Sequence, residues 1–437
     1  MTEPPSPTVE SSVLAPARRA QARAEVGVTR VSRGTAVALS LAFLATIVAV
    51  PLADLGTGPL PPGWMEELGA GFSRGAAAVA EGRPVAANRA LLQAAAAAER
   101  ELEEASLLHR HLLPPVQWVL TAVFGAGSGD AYPGRAGWLF YREDVESLTS
   151  PGFLEPRRLE ERRRAGDPWR PPPWPDPRPA LERLAERLAA RGIDLVVMPT
   201  PVKPSVHPER LTPRARERPL QNASYPELVA TLRERGLEVF DPAPPLVAAA
   251  EEGEGEEPLY LATDTHWTPD GLDRVAAALA RRLEPLLDGD GDPGAWRRRP
   301  VVVTGVGDVA KMLPLPRGAG LYPAQSVEAQ LVTDAAGRLW RPDREARVLL
   351  LGDSFTNVYS DPALGWGSGA GLAEQLSYHL GRPVDRIAQS AGGAHASREA
   401  LARDPGRLAG KRVVVYQFAS RELVFGDWRP VEWAEGE

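Results

Sequence analysis

Two short motifs contain the residue types of a serine-nucleophile catalytic centre. Asp264-Thr265-His266-Trp267 lies in the middle of the chain, and Gly352-Asp353-Ser354-Phe355 follows an apolar run nearer the C-terminus. A serine hydroxyl is a poor nucleophile at neutral pH unless an imidazole takes its proton, and a carboxylate that orients the imidazole assists this transfer. Asp264, His266 and Ser354 would therefore supply an acid, a base and a nucleophile if the fold brings them together.

Each motif also has an ordinary structural interpretation. Gly-Asp-Ser after a strand is a common turn or helix N-cap. The other motif could be a capping loop, with Thr268 and Pro269 beginning a helix through Leu272 to Leu287. Asp264 and His266 point to the same side if their segment is extended. They could also be two metal ligands, but no third histidine or carboxylate lies at characteristic spacing nearby, so no metal site is predicted.

Further residues could stabilise an oxyanion or bind the substrate. Gly352 permits a tight turn before the serine, and backbone N–H groups around the serine are natural oxyanion donors. The other candidates are glycines and polar residues near predicted strand ends: Lys203, Gln389, Gly392, Gly393 and Arg421. The two glycines could equally form a strand-to-helix turn, and the two cations could equally form structural ion pairs. His395 is the rival base, but no carboxylate accompanies it in the way that Asp264 accompanies His266.

Composition excludes several classes of function. The 437 residues imply one large domain with appendages, or two domains. The net charge of -7 is spread over mixed Arg/Glu segments without a basic stripe, which argues against a nucleic-acid partner. The chain has no cysteine, so disulfides, thiolate zinc sites and a cysteine nucleophile are excluded. No cofactor is predicted.

The N-terminal region predicts a membrane anchor. Residues 1–33 are rich in Pro, Ser, Ala and Arg and are expected to form a disordered cytoplasmic tail. Residues 34–53 are uncharged and have about the 20-residue length that a bilayer-spanning helix needs. Asp54 follows this segment, and five arginines precede it: Arg18, Arg19, Arg23, Arg30 and Arg33. The positive-inside rule then predicts a single-pass protein of the inner (cytoplasmic) membrane, with the catalytic domain on the periplasmic or extracellular side.

Two alternatives to an anchor are weaker. A cleaved signal peptide would need an unusually long n-region, and Val50-Pro51-Leu52-Ala53 is a poor small-x-small cleavage site. A buried core helix is disfavoured by the length of the apolar run, the arginines before it and its position after the tail.

A helical stem over residues 54–130 and a folded domain over residues 131–437 are predicted to follow. The stem contains an Ala-rich helical pattern from Ala86 to Leu113, which Pro114 and Pro115 are expected to end. Gly125 to Gly129 are expected to form a flexible break.

The domain is predicted to have an α/β fold with a mostly parallel sheet. Helical spacing alternates with apolar runs that are typical of buried strands, and an aromatic strand at 137–141 leads into the domain. The helical patterns lie at 180–191, 226–235 and 371–380, and the strand patterns at 193–199, 237–241, 347–351 and 413–417. Ligands of such sheets gather at the carboxyl ends of the strands. Ser354, Thr200 with Lys203, and Ala419 to Arg421 are therefore expected at one rim.

The ordered combination of motifs resembles the alginate O-acetyltransferase AlgX/AlgJ family, whose domain is SGNH-hydrolase-like. The resemblance covers roughly residues 85 to 425 and is closer to the membrane-anchored AlgJ type, since no separate carbohydrate-binding module is recognised after the domain. The motifs are Gly137-Trp138-Leu139-Phe140, Pro199-x-x-x-Lys203, Asp264-x-His266-Trp267, Gly307-Asp308-x-x-x-Met312-Leu313, Gly352-Asp353-Ser354-Phe355, Ser390-x-Gly392-Gly393 and Arg421-Glu422-Leu423. The resemblance implies that Ser354 is the nucleophile, His266 the base and Asp264 its orienting acid.

The resemblance also implies a function. The expected reaction is transfer of acetyl groups to hydroxyls of an exported polysaccharide through an acetyl-serine, with the acetyl groups supplied by a multi-span membrane acyltransferase partner. The same triad could instead hydrolyse acetyl esters of carbohydrates. A third possibility is a non-catalytic subunit that binds or assembles the polysaccharide.

Overall fold

The computed structural model describes residues 32–57, 63–165, 173–214, 219–252, 258–289, 292 and 295–433. The chain divides into two compact units, one of Met1–Gly71 with Ala94–Arg110 and one of Phe72–Gln93 with His111–Glu437. Residues 1–31, which include most of the predicted tail, lie outside the described residues, as do residues 168–172 of a proline-rich stretch.

Three long helices come first along the chain: α1 (Arg33–Thr57), α2 (Gly63–Ala80) and α3 (Pro84–Ala105). In α1, the segment Arg33–Asp54 is long and apolar enough to cross a membrane, and none of it is buried. It contains the predicted anchor at 34–53. This agreement of length and composition is consistent with a single-pass anchor.

The expectation that Pro114 and Pro115 end a helix is wrong. The Ala-rich helix α3 ends at Ala105, and a π-helical turn at Leu108–Leu112 follows it. The two prolines lie in the first turn of the next helix, α4 (Leu113–Phe124). Proline is tolerated there because first-turn amides have no intrahelical acceptor.

The second unit is built on a five-stranded parallel sheet, which confirms the predicted α/β class. Its strands are β3 (Asp194–Thr200), β4 (Glu238–Val239), β7 (Val348–Gly352), β8 (Val384–Ala388) and β9 (Val413–Ala419), in the spatial order β4-β3-β9-β7-β8. Two antiparallel pairs flank it: β1 (Ala131–Pro133) with β2 (Leu139–Tyr141), and β5 (Trp296–Gly305) with β6 (Gln325–Asp334).

Buried side chains on both faces explain why the central strands read as continuous apolar runs. Alternate residues of a strand point to opposite faces. Val196 and Leu350 belong to one hydrophobic cluster, whereas Val197 and Leu351 belong to another. The sheet is therefore covered on both sides.

Helices cover both faces of the sheet and contribute buried side chains to the two hydrophobic clusters. Helix α12 (Pro269–Leu283) is capped by the Thr268 side chain, which accepts a hydrogen bond from Gly271 N, as the sequence predicts. The remaining helices are α5 (Arg142–Thr149), α6 (Pro156–Arg164), α7 (Arg178–Ala189), α8 (Lys203–Val206), α9 (Pro208–Leu211), α10 (Tyr225–Glu234), α11 (Ala243–Glu252), α12 (Pro269–Leu283), α13 (Asp308–Lys311), α14 (Ser354–Asn357), α15 (Leu372–Leu380), α16 (Ala396–Arg403) and α17 (Glu422–Phe425).

The carboxyl ends of β3, β7 and β9 lie at one edge of the sheet. These strands are adjacent and parallel, and Thr200 of β3 pairs with Ala419 of β9. Gly352 ends β7 directly before Ser354. The predicted gathering of the three strand ends is confirmed.

Candidate active site

Ser354 begins the short helix α14 at the end of β7, and it is half-buried. Gly352 makes this turn possible, because a Cβ there would overlap the Thr356 hydroxyl. The Asp353 carboxylate caps the helix by accepting from Phe355 N at 2.8 Å. The motif thus forms the helix N-cap of its ordinary structural interpretation and also places Ser354 at the carboxyl end of β7.

A second set of bonds fixes the Ser354 turn to the neighbouring strand. The second carboxylate oxygen of Asp353 accepts from Ala419 N at 2.7 Å. Gln417 Oε1 accepts from Asp353 N at 3.0 Å and from Thr356 Oγ1 at 2.8 Å. Both partners belong to β9, so the position of the serine is set by the sheet rather than by a loose loop.

Asp264 and His266 form a buried pair. Asp264 Oδ1 lies 2.6 Å from His266 Nδ1 and also accepts from His266 N at 3.0 Å. The two residues are 1% and 4% exposed. The carboxylate therefore fixes the tautomer with the proton on Nδ1, which leaves Nε2 as the basic nitrogen.

The other carboxylate oxygen of Asp264 is held independently. Asp264 Oδ2 accepts from Trp366 Nε1 at 2.9 Å and from Asp308 N at 2.9 Å. Burial acts to raise the pKa of Asp264, but the contact with His266 and these two donors outweigh it, so the pKa is lowered. Asp264 is accordingly an ionised, oriented acceptor.

His266 Nε2 is buried and has no hydrogen-bond partner among the described residues. The His266 ring contacts Phe355, the neighbour of Ser354, with ring centroids 4.9 Å apart. Burial acts to lower the pKa of His266, but the charges of Asp264 and Asp308 outweigh it and raise the pKa. The structure thus brings the imidazole to the serine turn with its basic nitrogen unpaired.

Asp308 is a neighbour of the pair that sequence spacing does not assign. Its Oδ1 accepts from Thr265 N at 2.7 Å, and its Oδ2 accepts from Thr265 Oγ1 at 2.6 Å. Oδ2 also lies 3.8 Å from His266 Nδ1. Burial and the charge of Asp264 raise the pKa of Asp308. The sequence does contain one signal for Asp308, because this residue belongs to the motif Gly307-Asp308-x-x-x-Met312-Leu313 of the family resemblance.

Asp264, His266 and Asp308 could also hold a metal ion, because their ligand atoms lie within 4.8 Å of one another. The fold therefore supplies the third ligand that the spacing lacks. Nδ1 of His266, however, faces a carboxylate at hydrogen-bonding distance, and the carboxylate oxygens accept N–H or O–H donors. A coordinated His nitrogen and carboxylate would have to give up these bonds, so the donor set fits a proton network better than a cation.

Arg421 reaches the same rim from the end of β9. Its Nη1 donates to Asp144 Oδ1 at 2.9 Å, and its guanidinium lies 6.0 Å from the centroid of Phe355. Asp144 is fully buried, and burial raises its pKa although Arg421 opposes this. Arg421 thus forms the structural ion pair that the sequence leaves open, while its charge still lies beside the catalytic candidates.

Lys203 is fully buried, and its side chain makes structural contacts. Nζ donates to Leu139 O at 2.6 Å and to Ala262 O at 3.1 Å. Burial lowers its pKa to about 8, against the charges of Asp264, Asp308 and Asp144. Of its two predicted roles, the geometry favours the structural one.

The loop after β8 lies beside the serine turn. Gln389 N donates to Gly352 O at 3.0 Å, and Asn357 Nδ2 donates to Ser390 Oγ at 3.2 Å. Within this loop Ala391 and Gly393 adopt positive φ values of 58° and 63°. A non-glycine residue in this region is strained, a feature that clusters at functional sites.

Two other predicted residues border this loop. A Cβ on Gly392 would overlap Ala396, which requires glycine at this position. His395 follows the loop, and its Nδ1 is buried without a hydrogen-bond partner among the described residues. Among the described residues, no carboxylate forms a hydrogen bond or ion pair with His395, whereas Asp264 does so with His266.

Comparison with known proteins identifies relatives. Residues 131–420 match the family model of the SGNH hydrolase-like domain of the acetyltransferase AlgX. A probable alginate O-acetylase AlgJ of Pseudomonas aeruginosa is 26% identical over 319 residues, which cover 69% of this chain and 72% of the relative. Another from Pseudomonas putida is 28% identical over 248 residues, 54% of this chain and 57% of the relative.

A solved structure shares the fold. The O-acetyltransferase domain of Pseudomonas putida AlgJ superposes with a TM-score of 0.51 at 24% identity, covering 68% of this chain and 93% of that domain. The parallel sheet with helices on both faces is therefore an SGNH hydrolase-like fold.

Proposed function

Because this chain belongs to the SGNH hydrolase-like acetyltransferase family of AlgX, we propose that it transfers acetyl groups to hydroxyls of an exported polysaccharide through an acetyl-serine on Ser354. The chain is an O-acetyltransferase, as its curated relatives named alginate O-acetylase indicate. An alginate-like polymer is the proposed acceptor. Asp264, His266 and Ser354 are proposed as its triad.

One observation carries the triad. His266 has Nδ1 bound to a buried carboxylate at 2.6 Å, whereas its buried Nε2 has no partner among the described residues. The imidazole ring lies against Phe355, the residue after Ser354, with ring centroids 4.9 Å apart. An unpaired buried nitrogen costs free energy, so its presence needs a reason. Accepting a proton from the serine and from an acceptor hydroxyl is such a reason.

In the first half-reaction, Ser354 Oγ attacks the carbonyl carbon of the acetyl donor. His266 Nε2 takes the hydroxyl proton as the new C–O bond forms, and Asp264 stabilises the resulting imidazolium. The bond to the leaving group then breaks, and His266 returns the proton to that group. Acetyl-Ser354 and a neutral His266 remain.

The second half-reaction regenerates the enzyme. A sugar hydroxyl attacks the acetyl-serine carbonyl while His266 Nε2 removes its proton. The Ser354 Oγ–C bond breaks, and His266 protonates the departing oxygen. Water in place of the sugar would give hydrolysis, so exclusion of water decides between transferase and esterase.

The oxyanion of each tetrahedral intermediate needs donors. Ser354 is the first residue of α14, and first-turn amides have no intrahelical acceptor. The amides of Gly392 and Gly393 lie in the loop that bonds to Gly352 through Gln389. We assign the backbone amides of Ser354, Gly392 and Gly393 to the oxyanion site. Arg421 adds a positive charge beside Phe355.

A membrane context completes the proposal. The apolar segment Arg33–Asp54 would hold the chain in the inner membrane, with the catalytic domain on its periplasmic side. The described residues contain one helix able to cross a bilayer, which is too little to carry acetyl groups across it. A multi-span acyltransferase partner is therefore proposed as the donor.

The test is a transfer assay on the full chain in detergent. A chromogenic acetyl ester serves as donor and an alginate oligosaccharide as acceptor, and both released chromophore and acetylated sugar are measured. Ser354→Ala and His266→Ala are expected to lose transfer by roughly 10³-fold or more. His395→Ala, which removes the rival base, is the matched control and is expected to retain transfer.

Three results would argue otherwise. Ester turnover without acetylated sugar in the wild type would favour an acetylesterase. Equal turnover in wild type and both triad variants would remove the triad assignment. Sugar binding without any turnover would favour a non-catalytic subunit.

A further inference from the structure

Helix α4 (Leu113–Phe124) has its polar side chains inside and its apolar side chains outside. Gln117 and Thr121, one helical turn apart, are its buried residues. Both are polar, and the segment carries no charged residue. A helix on the surface of a water-soluble domain normally shows the opposite arrangement.

Hydrogen bonds hold this orientation in place. Gln117 Nε2 donates to Thr121 Oγ1 at 2.9 Å and to Gly127 O at 3.0 Å. Thr121 Oγ1 donates to Ala126 O at 2.9 Å. Gly125, with a φ of 63°, caps the helix and turns the chain so that these carbonyls face the two side chains. The polar face is satisfied, so rotating the helix would cost these bonds.

The outward face is continuous and apolar. Val116, Val119, Leu120 and Val123 repeat at the spacing of one helical face, and Phe124 at its end is 72% exposed. The exposed large apolar residues of α4 and the residue before it are Leu112, Val116, Trp118, Val119, Leu120, Val123 and Phe124. A contiguous exposed patch of this kind marks an interaction site.

We propose that this face lies in the surface of the lipid bilayer. The inference rests on the proposed membrane anchor, which tethers the domain to a bilayer through the same chain. Twelve residues extend about 18 Å, well short of the about 30 Å of a hydrocarbon core, so α4 can lie in the interface but cannot span it.

The flanking residues suit a lipid surface. Arg110 lies two residues before Leu112 and is preceded and followed by His109 and His111. An arginine just before an apolar helix in the sequence suits anionic headgroups, and Trp118 is a side chain that favours the bilayer interface. Two copies that each carry a net charge of -7 repel one another, which disfavours a second copy as the occupant of this face.

Site-specific fluorescence on the full chain tests the proposal. The chain has no cysteine, so one engineered cysteine gives one labelled site. Val123→Cys probes the α4 face, and Val302→Cys on β5 is its matched control, since the two valines are 66% and 68% exposed. Each is labelled with a polarity-sensitive dye and reconstituted in nanodiscs of phosphatidylcholine with phosphatidylglycerol, with or without a quencher on the acyl chains.

The expected result is a blue shift and acyl-chain quenching of the Val123→Cys label, with neither at Val302→Cys. Equal acyl-chain quenching at both sites would overturn the proposal. So would a Val123→Cys label shielded from aqueous iodide but not quenched by lipid, which would indicate a protein partner or second copy. Failure of the chain to enter nanodiscs would contradict the proposed anchor and, with it, the proposed contact of α4 with the bilayer. It would not bear on the proposed triad.

Discussion

Trp366 and Asp264 are joined by a hydrogen bond between indole Nε1 and carboxylate Oδ2, 2.9 Å long, although the two residues lie 102 positions apart. Trp366 is itself buried. The bond occupies the carboxylate oxygen that faces away from His266. Together with Asp308 N, it restricts Asp264 to one rotation, so that Oδ1 points at the imidazole.

Replacement of this tryptophan tests its positioning role. Trp366→Phe removes one donor from a buried carboxylate, which costs about 1.5–3 kcal/mol of folding free energy. Because Oδ1 of Asp264 is then less firmly directed at His266, we also expect kcat to fall about tenfold or more. KM should change little, because Trp366 acts through Asp264 and not on the substrate. Steady-state kinetics with the chromogenic ester give both constants.

The control removes a similar bond elsewhere. Trp340 Nε1 donates to Ser377 Oγ at 2.8 Å, and that indole is also buried. Trp340→Phe should lower the melting temperature about as much as Trp366→Phe does, while its kcat stays near that of the wild type. If both variants lose kcat equally, Trp366 stabilises the fold and does not position Asp264.

The pH dependence of kcat reports on the carboxylates around His266. Asp264 and Asp308 raise the pKa of His266, and catalysis needs the neutral imidazole, so activity should rise as pH rises through that pKa. Asp264→Asn removes the carboxylate that raises the pKa of His266 more. The acidic limb should therefore move to lower pH, while kcat falls by about 10³ to 10⁴-fold because the tautomer is no longer held.

Asp308→Asn separates charge from orientation. The acidic limb should again move to lower pH, but by less than in Asp264→Asn. The fall in kcat should also be smaller, because the backbone N–H of residue 308 still donates to Asp264 Oδ2. A limb that stays in place in both variants would mean that His266 does not limit the rate. A pH–rate profile of each variant decides this.

Gly352 tests the geometry of the serine turn. Gly352→Ala places a methyl group against the Thr356 hydroxyl and near Gln417, so both the melting temperature and kcat should fall. Gly129→Ala is the control, since a Cβ there meets no atom within 4 Å. Thermal unfolding and ester turnover measure the two effects. An unchanged kcat in Gly352→Ala would separate this turn from catalysis.

Lys203 should affect stability in the alkaline range. Burial lowers its pKa to about 8 in the folded protein, from 10.5, so between these values the unfolded chain binds the proton and the folded protein does not. Its contribution to stability must then rise with pH across that window. Lys203→Met should be less stable, because Leu139 O and Ala262 O lose a donor, and should lack this rise.

Chemical unfolding at several pH values between 8 and 10.5 gives the comparison. Parallel curves for wild type and Lys203→Met would show that the lysine titrates normally. A large loss of kcat in a folded Lys203→Met protein would restore the substrate-binding role that burial argues against.

Local sequence pattern is sufficient to predict the elements that carry the proposed triad. The apolar run before Gly352 predicts the strand and its serine turn, and Thr268 with Pro269 predicts the helix after His266. Two errors have local causes. Proline at Pro114 predicts a helix end, although it also suits a helix start. The strand Trp296–Gly305 is not predicted, because its three arginines and three valines form consecutive runs and do not alternate along the sequence.

The supporting residues could not be predicted from spacing. Asp308 and Trp366 reach Asp264 from 44 and 102 positions away, and these distances are closed only by packing of whole elements. Burial of Lys203 and the Asp144–Arg421 ion pair likewise depend on tertiary contacts. Sequence thus predicts the reacting groups, whereas the structure is needed for the groups that orient them.

Identification of the acetylated residue is the most direct test of the proposed acetyl-serine mechanism. The full chain is mixed with the chromogenic acetyl ester without acceptor, quenched in acid, digested and analysed by mass spectrometry. We predict one acetyl group on the peptide that contains Ser354, its loss on addition of the oligosaccharide, and its absence in Ser354→Ala. Stable turnover and transfer with no acetyl group on Ser354, or the same labelling of another residue in Ser354→Ala, would contradict the proposed acetyl-serine mechanism.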